Sequence, residues 1–146
     1  MRLLRRFLRD IGSDYDPVNV VNINNKRFTS TPTLPIEVSK QVYIGYYLGQ
    51  NKQRFIPSSL LLQKLAEETT THKVYVDRDT AWLFVVGKDI FDENILKRSD
   101  GVLLGGYCLV MYGDHCLGYG RYESSRNIRV VKNLFDIGDF LRREHE

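Results

Sequence analysis

The chain has 146 residues, a mass of 17.0 kDa and 42% hydrophobic residues, enough to pack a core in one ordinary domain or two very small ones. A net charge of +3 and a pI near 8.9 suit an anionic partner without specifying one. The apolar runs fall far short of the roughly 18 residues of a spanning helix, and arginines interrupt the apolar N-terminus. Neither a transmembrane segment nor a secretory signal is therefore expected, and the protein is expected to be soluble and to stay in the cell.

In MRLLRRFLRDIG, Leu3, Leu4, Phe7, Leu8 and Ile11 recur at helical spacing opposite Arg2, Arg5, Arg6 and Arg9, and Gly12 stands where a helix would stop. This amphipathic basic helix could lie on a membrane or serve as an import sequence; packing on the rest of the domain is the expected use of its apolar stripe. A strand is expected from Val18 to Ile23, a turn at Asn24-Asn25, and a TSTPT loop with Pro32 and Pro35 after Arg27-Phe28. Gln41 to Leu48 reads as a strand, and Pro57-Ser58-Ser59 opens a helix through LLLQKLAEE.

THKVYVD opens a new strand near Lys73, and a boundary between two small domains is placed there, after the threonine run. The apolar run from Thr80 to Val86 fits a buried strand or a short buried helix; Asp79 as N-cap and Gly87 as the residue after the C-cap select the helix. GYCLVMYGDHCLGYGRY reads as a hairpin with Gly113-Asp114 in a type II′ turn. That register opposes Cys108 to Tyr119 and Cys116 to Met111, which sets the two sulfurs on opposite faces, so two reduced, buried thiols are expected. At the end, FDIGDFLRREH places Asp136 at an N-cap and Arg142-Arg143 in the final turn of a short closing helix.

Little here suggests catalysis. His72, His115 and His145 stand far apart without zinc-ligand spacing, Asp77 and Asp79 read as caps or solvated residues, and the glycines from Gly101 to Gly120 form no phosphate loop. Those glycines instead fit the bends of a small, strongly curved barrel. Trp82, Phe84 and Phe91 lie in apolar patterns and are expected in the core, whereas Tyr119 and Tyr122, beside Arg121, are open to either packing or base stacking. The charges are unevenly spread: residues 1–72 carry ten Lys and Arg against six Asp and Glu, residues 73–146 eleven against twelve. Between residues 117 and 135, Arg121, Arg126, Arg129 and Lys132 face only Glu123, a segment able to track phosphates. If residues 126–132 form one regular strand, Arg126 and Lys132 point one way and Arg129 the other.

The order GKDIFDENI, a strand, then YCLVMYGDHCLGYG resembles the PUA domain, a small pseudo-barrel that binds RNA. The tail CLGYGRYESSRNIRVVKNLFDIGDFLRREHE is similar to the end of the Nip-seven family of large-subunit ribosome-biogenesis factors, where a PLGFG-like strand leads to a D-I-G-[DE]-[FY]-[LV]-R-x-E helix. VYIGYYLGQNKQRFIPSSLLLQKLAEE resembles that family's front part more loosely. The N-terminal part is shorter than the family's, and TSTPTLP has no counterpart there, which puts the family's partner surface in question for this chain.

The resemblance implies an α+β protein, with a small N-terminal α/β domain over residues 1–72 and a PUA-like RNA-binding pseudo-barrel over 73–146. It implies a non-enzymatic factor in pre-rRNA processing and large ribosomal subunit biogenesis, cytoplasmic, or nucleolar in a eukaryote. The expected partners are RNA and, through the N-terminal domain, ribosome-assembly proteins; no cofactor, metal or membrane is implied. The RNA side is placed at Arg121, Arg126, Arg129 and Lys132, with Gly87-Lys88 at the PUA groove as a second candidate. Two other readings stand beside it: an accessory PUA subunit of an RNA-modifying methyltransferase or pseudouridine synthase, and a protein-interaction domain without RNA.

Overall fold

The periodic leucines of the N-terminus do form a helix, α1 (Arg2–Asp10), in the computed structural model, which describes residues 2–16, 20–23, 26–29 and 46–138. Leu4, Phe7, Leu8 and Ile11 are all buried, and Gly12, at φ +81°, ends the helix. The apolar stripe is thus a packing face, as expected. Four short strands follow, β1 (Val20–Ile23), β2 (Lys26–Thr29), β3 (Tyr46–Asn51) and β4 (Phe55–Pro57), paired in chain order as an antiparallel sheet. The strand expected to end at Leu48 continues to Asn51. The Asn24-Asn25 turn, the TSTPT loop, residues 41–45 and the closing helix from residue 139 onward lie outside the described residues.

Helix α2 (Ser59–Ala66) starts where the serines predicted, because Ser58 Oγ accepts the Leu61 N–H at 3.0 Å and satisfies one of the orphan donors of the first turn. Its Leu61, Leu62 and Leu65 are buried. After β5 (Lys73–Val76), helix α3 (Arg78–Val85) confirms the helical choice for the ambiguous apolar run. The N-cap is Asp77 rather than Asp79: Asp77 Oδ1 accepts the Thr80 N–H at 2.9 Å, and these bonds hold its carboxyl below the usual range. At the other end, Gly87 at φ +101° donates to Phe84 O and Lys88 donates to Leu83 O, the paired bonds of a Schellman stop.

The remaining strands are β6 (Ile90–Phe91), β7 (Ile95–Arg98), β8 (Tyr107–Tyr112), β9 (His115–Ser125) and β10 (Ile128–Asp136). With β5 they form a six-stranded sheet ordered β6-β10-β9-β8-β5-β7, in which only the β5–β8 pair is parallel. Its two edge strands, β6 and β7, are joined only by the 3₁₀ turn Asp92–Asn94. In a flat sheet five inter-strand gaps would separate them by about 24 Å, whereas the chain from Phe91 to Ile95 reaches at most about 14 Å. The sheet must therefore curl into a half-barrel.

Curling gives the sheet an inside and an outside, each with its own core. Val74, Val76, Phe84, Ile90, Cys108, Val110, Leu117, Tyr122 and Val131 fill the inside, covered by α3. The outside of β8 and β9 presents Leu109, Met111, Cys116 and Tyr119 to α1, α2 and β4. Phe7 sits at the centre of this second cluster, edge-on to Tyr119 with centroids at 5.4 Å and tilted against Phe55 at 5.6 Å. Burying such a ring contributes about 1.5–3 kcal/mol, so α1 is a working part of the fold. Because both faces are covered, β8 and the first half of β9 read as continuous apolar runs instead of alternating ones.

The Gly113-Asp114 turn is present, with Gly113 at φ +57° and Asp114 at negative φ as type II′ requires, and Cys116 opposes Met111 as expected. Cys108, however, opposes Gly120 and not Tyr119. The register shifts between Val110 and Met111 because Leu117 is an extra, unpaired residue in β9, a β-bulge. The two cysteines still fall on opposite faces, in different cores, and both are free thiols.

The core assignment of Trp82 and Phe91 is corrected: they are 68% and 50% exposed, while Phe84 is fully buried. On the eight-residue α3 only one stripe faces the sheet, and Thr80, Ala81 and Phe84 occupy it. Tyr119 and Tyr122, left open between packing and stacking, are both buried.

Two expectations follow from this packing. Burial alone pushes the Cys108 thiol up to about 12, and burial dominates in raising Cys116 to about 11. An unfolded thiol titrates near 8.5, so between that value and the raised ones the folded chain binds more protons than the unfolded chain. Stability is therefore full below about pH 8.5 and falls as pH rises beyond it, which urea denaturation at pH 7.5 and pH 10 should show, with a weaker decline in a double Cys→Ala protein. At Gly118, φ is +150° and an added Cβ would sit 2.0 Å from the Phe135 carbonyl oxygen. Gly118→Ala should lower the unfolding free energy by about 2–3 kcal/mol in the same assay.

Candidate nucleic-acid interface

Beyond Arg121, β9 loses its partner β8, and β10 touches β6 only at Val130 and Val131. Residues 122–129 therefore extend as a two-stranded ribbon whose tip, from Ser124 to Arg129, is exposed throughout. The ribbon closes through Arg126 and Asn127, at φ +54° and +65°, which joins Ser125 to Ile128 as a type I′ turn matching the strand twist. Arg126 thus belongs to the turn and not to a regular strand, so the expected grouping of Arg126 with Lys132 does not arise.

Arg121 and Lys132 are direct cross-strand partners and both are exposed. Like charges directly opposed on one face are unfavourable unless something anionic lies over them. Among the described residues neither forms an ion pair with a carboxylate. Arg121 is held flat instead: its Nη2 donates to Tyr107 Oη at 3.1 Å and its guanidinium lies 5.1 Å from the Tyr107 ring centroid. That leaves the far edge of the guanidinium, with its remaining donors, directed away from the protein.

Arg129 opposes Ser124 and so lies on the other face of the ribbon, where it reaches the hydroxyl of Tyr122. That hydroxyl donates to Asp92 Oδ1 at 2.6 Å and accepts from Arg98 Nη1; Arg98 pairs with Asp92 at 3.6 Å and covers the Tyr122 ring at 5.0 Å. Burial, with the Asp92 bond next, raises the Tyr122 phenol above its ordinary value, so it remains a donor. Arg98 escaped the sequence reading because β7 lies far from the basic segment in the chain and carries no local motif.

Lys88 stands just past the Schellman stop of α3 and is exposed. Its loop is tied to β10 through Asn133, whose N–H donates to Asp89 Oδ1 at 2.8 Å and whose Nδ2 donates to Phe84 O at 2.9 Å and Asp136 Oδ2 at 3.0 Å. Asp136, expected to cap the closing helix, is the buried last residue of β10 and takes part in this tether. The structure thus sets Arg121 and Lys132 side by side, brings the Lys88 loop against the next residue of β10, carries Arg126 at the tip and turns Arg129 to the opposite face.

The described architecture, a curled sheet with one helix across its mouth and a projecting basic ribbon, occupies the part of the chain matched by a known family: the UPF0113 PUA domain matches residues 72–145. The chain belongs to that family. It therefore carries a PUA domain, an RNA-binding module, and the expected α+β fold with a PUA-like pseudo-barrel holds. No curated protein gives a significant match.

Among solved structures, a conserved PUA domain protein from Thermoplasma acidophilum superposes with a TM-score of 0.57 at 16% identity, covering 99% of this chain and 93% of that one. A hypothetical protein from the hyperthermophilic archaeon Pyrococcus horikoshii gives 0.54 at 14% identity, covering 93% and 92%. At such identities the likeness is one of fold, and it extends over the N-terminal part as well as the barrel. Among the described residues no helix is long and apolar enough to cross a membrane.

Arginine is an unfavourable occupant of a left-handed position, which costs a residue with a Cβ about 1 kcal/mol and asparagine less. Arg126→Asn should therefore raise the unfolding free energy by about 0.5–1 kcal/mol in chemical denaturation while weakening RNA binding.

Proposed function

We propose that this PUA-family protein is a non-catalytic factor that binds single-stranded or loop RNA during pre-rRNA processing and large ribosomal subunit biogenesis, and that its N-terminal half meets assembly proteins. The directly opposed, unneutralised pair Arg121 and Lys132 at the base of the ribbon carries the RNA side of this reading. Two cations held at a fixed spacing on a two-stranded ribbon suit successive phosphates, and Arg126 at the tip extends the track. The similarity of the LGYG and DIGDFLRRE segments to the Nip-seven family supports the assignment to ribosome assembly. Action by binding, without turnover, is part of the same proposal.

If Arg121, Arg126, Arg129 and Lys132 all meet phosphates of single-stranded RNA, the log–log salt slope should be about −2.8, so that affinity falls about fifty-fold between ~50 and ~200 mM salt. Arg121→Glu with Lys132→Glu should weaken binding and flatten that slope in fluorescence anisotropy. An unchanged slope would place the RNA elsewhere. Crosslinking in the native cells followed by sequencing of the bound fragments should return precursor rRNA. Recovery of mainly tRNA, together with a co-purifying methyltransferase or pseudouridine synthase, would instead make the protein an accessory subunit of a modifying enzyme.

A further inference from the structure

A cleft of about 200 Å³ opens between α1, the turn joining β3 to β4, and the outer face of β8 and β9. Three guanidinium groups line it, from Arg6, Arg54 and Arg121, each on a different element and widely separated in sequence. The one carboxylate in the lining, Asp10, approaches Arg6 only loosely, at 3.8 Å and with both side chains largely exposed. The floor is aromatic: Phe7 and Phe55 are buried, and the Tyr107 ring lies under Arg121. The volume is below the roughly 300–1,000 Å³ of cofactor and small-molecule pockets, and suits one unit of a longer polyanion.

We infer that this cleft seats one phosphodiester and its base from the RNA strand that crosses the Arg121–Lys132 pair, so that α1 and the β3–β4 turn form the second half of the RNA track. The inference rests on the RNA-binding reading above. Arg121 belongs to both parts, lining the cleft on one side and opposing Lys132 on the other, so Lys132, Arg121, Arg54 and Arg6 trace a basic strip off the sheet onto the N-terminal helix. Arg54 and Arg121 also both act on the hydroxyl of Tyr119, which burial raises to about 12 and which the two cations pull back, so their charges converge at one place. Guanidinium forks match phosphate oxygens, and flat aromatic and guanidinium surfaces accept bases of any sequence; an acidic protein segment would make no use of the second feature. Arg6, assigned by the sequence to a docking surface, becomes an RNA ligand.

The test uses the full chain and a fluorescein-labelled oligouridylate, with anisotropy titrations across a salt series. Arg6→Ala with Arg54→Ala should weaken binding about tenfold and make the salt slope shallower by about 1.4, roughly 0.7 for each lost phosphate contact. Arg5→Ala with Arg9→Ala removes the same charge from positions outside the cleft and should change affinity less than twofold. All four side chains are at the surface, so matched melting curves are expected and check the fold. Wild-type affinity and slope in the Arg6/Arg54 protein, with binding lost in the Arg121/Lys132 protein, would sink the cleft while leaving the ribbon intact, and the cleft would then suit an acidic protein segment. Equal losses in the two arginine pairs would also sink it, by reducing the effect to net charge. No binding by the wild-type protein at ~50 mM salt would overturn the RNA reading as a whole.

Discussion

The three-residue connection between the two edges of the six-stranded sheet is the constraint on which the other features rest. A connection that short cannot cross a flat sheet, so the strands coil, and the coil is clasped where Tyr122 from β9 meets Asp92 of the 3₁₀ turn and Arg98 of β7. Closing the curve shelters one face for a compact inner core and leaves the outer face of β8 and β9 in need of cover. Helices α1 and α2 supply it. The N-terminal half is therefore packed on the barrel through a continuous set of side chains, with Leu4, Phe7, Leu61 and Leu65 on one side and Leu109, Met111 and Tyr119 on the other.

This arrangement also sorts the charges. The strands at the centre of the sheet are covered on both sides and have no room for cations, so the basic residues collect where cover ends: at the ribbon, at the rim of the α1 seam and on the loop after α3. A ribbon with no third strand has free faces, and each face carries a different chemistry. One holds Arg121 and Lys132 without a carboxylate partner among the described residues; the other holds Arg129 and Arg98 in company with Asp92 and the Tyr122 hydroxyl. The first is electrostatically available to a ligand, and the second largely serves the clasp.

Much of the fold was legible because local chemistry and tertiary packing agree there. The periodic leucines of α1, the Ser58 cap, the Gly87 stop and the Gly113-Asp114 turn each use a residue whose conformational preference is strong and short-ranged. Legibility failed where the deciding partner is distant. Trp82 looked like a core residue because it lies in an apolar run, but only the position of α3 on the sheet tells which stripe of that helix is covered. The function-bearing cations divide in the same way: Arg121 and Lys132 stood out as members of a local basic segment, whereas Arg54, Arg6 and Arg98 join them only through the way the chain folds back. The sequence marked the segment, and pairing across strands decided which cations share a face.

The bulge at Leu117 behaves like a frameshift in that pairing. Up to Cys116 the strand runs in the register dictated by the turn; from Gly118 onward every side chain falls on the face opposite to the one an uninterrupted ladder would assign. That inversion carries Tyr122 into the barrel and Arg121 out of it, and the partner strand transmits the same choice to Lys132. A chain lacking this one residue would keep its composition, its net charge and its basic segment, yet it would aim Arg121 at the hydrophobic interior. The placement of the cationic surface is thus encoded in the count of residues between a turn and a strand end, a property to which substitution scanning is blind and to which a single-codon deletion is acutely sensitive.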